Sequence, residues 1–386
     1  MDFVHARDIS KCEFENKGLV SMGFRRKEQI TFFLTGNCNL SCRYCYMPKW
    51  EGPRELLLDM EFARAGLRDF FSQSASRTIR FFAPGEPTLA FQRMTEIWDI
   101  ANEMAGDQLH TELETNGYFG PAIAEWVAHH VDYLWISCDG WPGLQDLQRP
   151  RKDGRPSSDV VLDNIRRFAS TSQIQLGVRI TIEGANLDRQ TDLIEFFHDL
   201  GVRYVAASPT YHSKPNPSIV TPSLLRFAEH FVPAFNRARE LGMLYLTLLI
   251  VNFDEEVDIY CQASIPTPRL TPDGFVSCCD WVAFGSPEIS VGSQQELIYG
   301  RFDRVSGTII YDEAKIQRLR KRCVSFLSTS NCRGCPAIRN CAGGCVGKMM
   351  VATEDLYCAS QDWCEAVRYL FMRLPINDCL YEVLHP

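Results

Sequence analysis

The chain has 386 residues, with 40 Lys+Arg against 48 Asp+Glu and a formal charge of -8. An apolar fraction of 45% and a charged fraction of 23% fit a globular protein of two or three units and exclude disordered and collagenous classes. The acidic balance argues against a nucleic-acid partner, and no run approaches the roughly 20 apolar residues of a membrane span. Asp2, Asp8, Lys11, Glu13 and Glu15 interrupt the stretch where a secretory signal would be apolar, so a cytoplasmic location is expected.

Gln29–Leu34 reads as a strand that ends at Thr35-Gly36-Asn37. Asp59 can cap a helix through about Phe71, with Phe62, Leu67 and Phe70 on its apolar side. Thr78–Phe82 is the next strand, stopped by Pro84-Gly85 and followed by a helical pattern near Phe91–Met104. Leu109–Leu113 leads into Thr115-Asn116-Gly117, Ile123–His130 is helical, and the strand Tyr133–Ser137 ends before Asp139-Gly140. Strands Leu176–Ile182 and Val202–Ala207 then alternate with helices Val160–Phe168, Leu193–Leu200 and Leu224–Leu241. Six strand–helix units in alternation predict a parallel sheet, with the polar breakers after the strands, where such sheets carry their sites. From about residue 250 the alternation stops, and glycine, proline and cysteine become dense.

Cysteine is the anomaly, at 16 residues. Three lie within Cys38–Cys45, one stands at Cys138, and eleven fall between Cys261 and Cys379. In a long chain without an export signal, clustered thiols point to metal rather than to disulfides. Cys38, Cys42 and Cys45 have the spacing C-x3-C-x2-C directly after the first strand. Three thiolates on a four-iron cluster leave one iron open to a small molecule, whereas a structural zinc site normally takes four ligands and closes.

On these residues the chain resembles a radical S-adenosylmethionine (SAM) enzyme. The resemblance implies a 4Fe–4S cluster on Cys38, Cys42 and Cys45 whose fourth iron chelates SAM. One-electron reduction then yields a 5′-deoxyadenosyl radical that abstracts a substrate hydrogen. Tyr46 matches the family's aromatic position near the adenine. Ala83-Pro84-Gly85-Glu86-Pro87 resembles the Gly-Gly-Glu-Pro segment with its first glycine replaced by proline; Gly85 and Glu86 are kept, and Glu86 is implied to accept from the methionine ammonium. Asn116 and Ser137 resemble positions lining the cavity, Ser137 towards the ribose, and Arg149 resembles the arginine that pairs with the SAM carboxylate.

The downstream array Cys332-x2-Cys335-x5-Cys341-x3-Cys345, preceded by Cys261-x12-Gly274-x4-Cys279, is similar to a SPASM domain, which implies two auxiliary clusters. By that resemblance Cys261, Cys279 and Cys345 hold the first, its fourth position being Cys278, Cys323 or open. Cys332, Cys335, Cys341 and a final cysteine, Cys364 rather than Cys358, hold the second. Cys12, Cys138 and Cys379 read as plain thiols. Asp280 matches an aspartate proposed as the base in peptide-oxidising members.

The expected architecture is α/β: an extension at 1–28, a partial (β/α)6 barrel at 29–245, a SPASM domain at 246–373 and a tail at 374–386. Three 4Fe–4S clusters and SAM are the expected cofactors, supplied with electrons by a flavodoxin- or ferredoxin-like donor. The resemblance implies oxidation or crosslinking of a peptide or protein side chain, or alternatively dehydrogenation or epimerisation of a sugar or aminocyclitol. The short segment before the first strand leaves no room for a fused leader-binding domain, so a peptide substrate calls for a separate docking protein or recognition by the barrel itself.

Overall fold

The computed structural model describes residues 28–45, 56–82, 84–171, 173–210, 221–287, 292–329 and 331–375. Tyr46, Ala83, Cys12, Cys379, most of the expected N-terminal extension and residues 376–386 of the expected tail lie outside them.

Six strands run parallel and in chain order: β1 (Ile30–Phe33), β2 (Thr78–Phe82), β3 (His110–Thr115), β4 (Tyr133–Ser137), β5 (Gln175–Ile182) and β6 (Tyr204–Pro209). The crossovers are α1 (Met60–Gln73), α2 (Phe91–Ala105), α3 (Pro121–His130), α4 (Pro142–Gln148), α5 (Ser158–Ala169) and α6 (Gln190–Asp199), with α7 (Leu224–Glu240) after β6. This is the wall of a partial barrel. Asp59 caps α1 as its sequence suggests, accepting from the Glu61 and Phe62 amides, and Phe62, Leu67 and Phe70 are buried.

The structure adds β7 (Leu244–Thr247), a seventh parallel strand beside β6, and the short helix α4. Beyond it come β8 (Arg269–Leu270), β9 (Phe275–Ser277), β10 (Ile298–Asp303) and β11 (Thr308–Tyr311). Strand β8 pairs in parallel with the free side of β1, and β9, β10 and β11 follow antiparallel, giving one 11-stranded sheet. Gly66 of α1 permits this join, because a Cβ there would stand 2.5 Å from Leu270 Cδ1. Five short helices complete the region: α8 (Glu313–Arg320), α9 (Val324–Leu327), α10 (Ile338–Cys341), α11 (Val346–Thr353) and α12 (Gln361–Phe371). Helix α12 packs on α7 of the barrel. The break expected near residue 245 is therefore crossed by sheet on one side and helix packing on the other.

Strand parity divides the barrel residues. Ile79, Phe81, Leu113, Leu134, Ile136, Val178 and Ile180 join the apolar core with the helices. The alternate positions carry Arg80, Glu112, Glu114, Trp135 and Arg179, and these face the lumen. Among the described residues no helix is long and apolar enough to cross a membrane.

Candidate cluster and cofactor site

The loop after β1 is held by two neighbouring strand ends and by the end of α4. From the β2 end, the Gly85 and Glu86 amides donate to the carbonyls of Thr35 (3.2 Å) and Asn37 (2.6 Å). Gly85 is required there, since a Cβ would lie 1.9 Å from the Asn37 carbonyl oxygen. From the β3 end, Asn116 Nδ2 donates to Asn39 Oδ1 at 2.7 Å and lies 3.6 Å from Cys38 Sγ. From beyond α4, the Gln148 and Pro150 carbonyls accept from the Arg43 and Ser41 amides at 2.9 and 2.8 Å. Cys38, Cys42 and Cys45 are electrostatic neighbours in this cradle; burial first, then adjoining negative groups, push Cys38 to about 11 and Cys42 to about 12.

Glu86 is more structural than its resemblance implies. It is 1% exposed. Its Oε1 accepts from the Thr88 amide (3.1 Å) and hydroxyl (2.7 Å) and from Thr115 Oγ1 (2.6 Å), while Oε2 accepts from the Asn116 amide at 2.7 Å. It thus caps the 3-10 turn Pro87–Ala90 and ties it to the β3 end. Burial pushes the carboxyl up, and these donors pull it down. Oε2 accepts one of these bonds and keeps a second lone pair.

Arg149 Nε donates to Asp139 Oδ2 at 2.9 Å, and its Nη1 lies 4.0 Å from Cys42 Sγ. Asp139, fully buried, also accepts from the Tyr44 hydroxyl and, at 2.9 Å, from the Thr181 amide. Arg149 is therefore oriented by a carboxylate before any ligand binds. Ser137 stands at the end of β4, half-buried and opposite Arg179 in register.

A charged belt crosses the lumen. Arg80 pairs with Glu114 and Glu112 of β3 (the latter at 3.4 Å) and with Asp280 at 2.9 Å, while Arg179 meets Glu114 at 3.0 Å. Arg269 Nε donates to the other Asp280 oxygen at 2.6 Å. Burial would raise the Asp280 carboxyl, but Arg80 and Arg269 outweigh it and hold it well below the ordinary carboxylate range. The sequence places Asp280 beside Cys279; the structure adds that it is clamped by two guanidinium groups.

In the C-terminal region, every cysteine among the described residues is a free thiol. Cys345 neighbours both Cys261 and Cys279, and Cys278 adjoins the same group. Cys323 instead starts α9, with its sulfur 3.1 Å from Ser325 Oγ. Cys345 stands at the N-terminus of α11, where burial raises its thiol while the Lys348 charge and the Lys348 and Gly347 amides lower it. A Cβ on Gly347 would stand 2.7 Å from Cys279 Sγ. In the second set Cys364 is a neighbour of Cys332, Cys335 and Cys341; Cys358 adjoins Cys332 and Cys364.

Among the described residues no three His, Cys, Asp or Glu side chains converge on a single ion. Three groups of thiols that are electrostatic neighbours without converging on one ion suit iron–sulfur clusters, whose irons each take one thiolate. A buried donor supports the fit: Trp363 Nε1–H meets no oxygen or nitrogen acceptor and is turned towards the Cys341 thiol. The residues present fit the implied groups.

Sequence reasoning missed Asp139, Arg80, Arg269 and Trp363. Asp139 was hidden in an Asp-Gly pair that looks like a turn. Arg80, Glu112 and Glu114 did leave a signal, charges at alternate positions inside parallel strands, which must face a polar lumen.

Residues 32–182 match the family model of the Radical SAM superfamily, and the chain carries this domain. A serine-type anaerobic sulfatase-maturating enzyme of Klebsiella aerogenes is 23% identical over 327 residues, covering 79% of this chain and 78% of the relative. Among solved structures, anSMEcpe with bound AdoMet and Cp18Cys peptide superposes with a TM-score of 0.68 at 16% identity, over 89% of this chain and 96% of that one. SuiB of Streptococcus suis bound to precursor peptide SuiA gives 0.61 at 14% identity, over 87% and 75%. Residues 32–182 thus carry a radical SAM domain, and the chain has the fold of these solved structures.

Proposed function

We propose that this radical SAM enzyme oxidises or crosslinks a side chain of a peptide or protein substrate and carries two auxiliary clusters to take up electrons. When bound, the first cluster and SAM supply a 5′-deoxyadenosyl radical that removes a substrate hydrogen. Cys38, Cys42 and Cys45 hold that cluster. Glu86 and Arg149 receive the SAM ammonium and carboxylate, Gly85 keeps the approach open, and Asn116, Ser137 and Tyr46 line the nucleoside side. Cys261, Cys279 and Cys345, and then Cys332, Cys335, Cys341 and Cys364, hold the auxiliary clusters.

One observation carries the oxidative reading: a single salt-bridge network runs from Arg80, in the barrel lumen, to Asp280, next to Cys279. An electron acceptor at Cys279 then adjoins the space where the substrate radical forms. Asp280 takes the proton. A carboxylate held this firmly ionised is a weak base, so it accepts the proton only as the electron departs and the substrate proton becomes strongly acidic. The named relatives support a peptide substrate, because two of them are solved with peptides bound. An external one-electron donor of flavodoxin or ferredoxin type supplies the first cluster, and the peptide is recognised by a separate docking protein or by the barrel itself. Free thiols throughout the described residues suit a reducing, cytoplasmic setting.

Anaerobic reconstitution tests this reading. We expect about twelve irons per chain, and Cys38→Ala/Cys42→Ala/Cys45→Ala should remove about four of them and abolish SAM cleavage. A wild-type count near four overturns the auxiliary clusters. Zinc without sulfide overturns the whole assignment.

A further inference from the structure

Trp363 begins α12 at 1% exposure, yet its indole N–H meets no acceptor oxygen or nitrogen. The indole lies against Gly344, whose amide donates to the Cys341 carbonyl at 2.8 Å, so the Cys341 thiol is the polar group on this side; burial pushes that thiol up to about 12 and the N–H draws it down. Gly343 and Gly344, each at φ +77°, create the approach, and a Cβ on Gly344 would stand 2.4 Å from Trp363 Nε1. Neutral thiols are weak acceptors, whereas a metal-bound thiolate is a charged and stronger one. The donor therefore finds its full partner only in the loaded protein.

A second buried group marks the contrast. Arg322 donates to the carbonyls of Leu356 (2.8 Å), Ala342 (3.3 Å) and Gly343 (2.6 Å). Its electrostatic neighbours are Cys261 and Cys345 of one thiol set and Cys341 and Cys332 of the other. Arg322 thus adjoins both sets, while the Trp363 donor faces Cys341 of the second. A hydrogen bond to a cluster sulfur favours the reduced, more negative state and raises its potential.

We propose that the Trp363 indole N–H donates to the cluster-bound sulfur of Cys341 and holds the second auxiliary cluster at a higher reduction potential than the first. This rests on the auxiliary-cluster reading above. The substrate radical gives up one electron to the first auxiliary cluster and its proton to a base. That electron passes downhill to the second cluster and leaves to an external one-electron carrier of ferredoxin type. Trp363 is a positioning residue for this transfer; it does not touch the substrate.

The test is an EPR-monitored redox titration of the full chain in the Cys38→Ala/Cys42→Ala/Cys45→Ala background, with and without Trp363→Phe. The second cluster is identified by the signal lost on Cys332→Ala. Trp363→Phe should shift its one-electron equilibrium about tenfold towards oxidation, roughly 59 mV downward, and leave the first auxiliary cluster unmoved. No shift, or an equal shift in both clusters, overturns the proposal. Should the phenylalanine variant lose its cluster, wild-type protein grown on 15N-indole tryptophan decides: the proposal requires an ENDOR coupling from one indole nitrogen to the reduced second cluster and falls without it. A background variant with no residual iron overturns the auxiliary-cluster reading itself, and this inference with it.

Discussion

Asp280 shows how a single side chain acquires a role the sequence only half discloses. Its position beside Cys279 suggests a base, and its two oxygens turn out to be divided between Arg80 and Arg269. Asp280→Asn keeps the shape, removes the basicity and takes the carboxylate charge from both guanidinium groups. It should leave 5′-deoxyadenosine formation intact while product falls by about 10²–10⁴-fold, the range for a lost general base, with both products quantified from one incubation. Equal loss of both would reassign Asp280 to cluster support. The depressed carboxyl also fixes a pH dependence. Its folded value lies below the unfolded one, so the ion pairs contribute stability fully above about pH 4, and that contribution is withdrawn as pH falls towards the folded value. Thermal unfolding of wild type and D280N should therefore differ by a constant amount between pH 5 and 7 and converge in acid.

At the level of elements, the site is made by loops that lean on one another. The β2 end reaches the thiol loop through Gly85 and Glu86, and it can do so only because position 85 has no Cβ. Gly85→Ala must displace the Asn37 carbonyl. It should cost the first cluster, about four irons, while the auxiliary iron stays, as read by iron analysis and by loss of the SAM-induced EPR change. These loops were legible in advance because each follows a strand with a clear apolar run, such as Gln29–Leu34 or Thr78–Phe82, and ends in glycine or proline. The C-terminal strands were not. Arg269–Leu270 and Phe275–Ser277 are too short to display a period, and their pairing partners lie far away in sequence. Cysteine spacing spoke for that region instead, and it named ligands without revealing what surrounds them. Trp363 is a core residue whose N–H has a direction that no pattern of apolar residues encodes.

On the scale of the molecule, the barrel and the cysteine-rich region share one sheet and one helix packing. A fragment ending at residue 250 would leave β1 without β8 and α7 without α12. It should fail to show a cooperative thermal transition by circular dichroism and fail to retain iron at Cys38–Cys45, although all three of those thiols are present. A fragment that folds and holds four irons would show the barrel to be self-sufficient. The β1–β8 pair also has a bearing on biosynthesis. A ribosome delivers β1 first, but the strand that covers its open edge emerges more than two hundred residues later. Until then the loop carrying the first three thiols hangs from an unfinished wall, so the iron that belongs there is best delivered to a completed chain. Maturation factors should then engage the released protein, with all of its metal sites presented together.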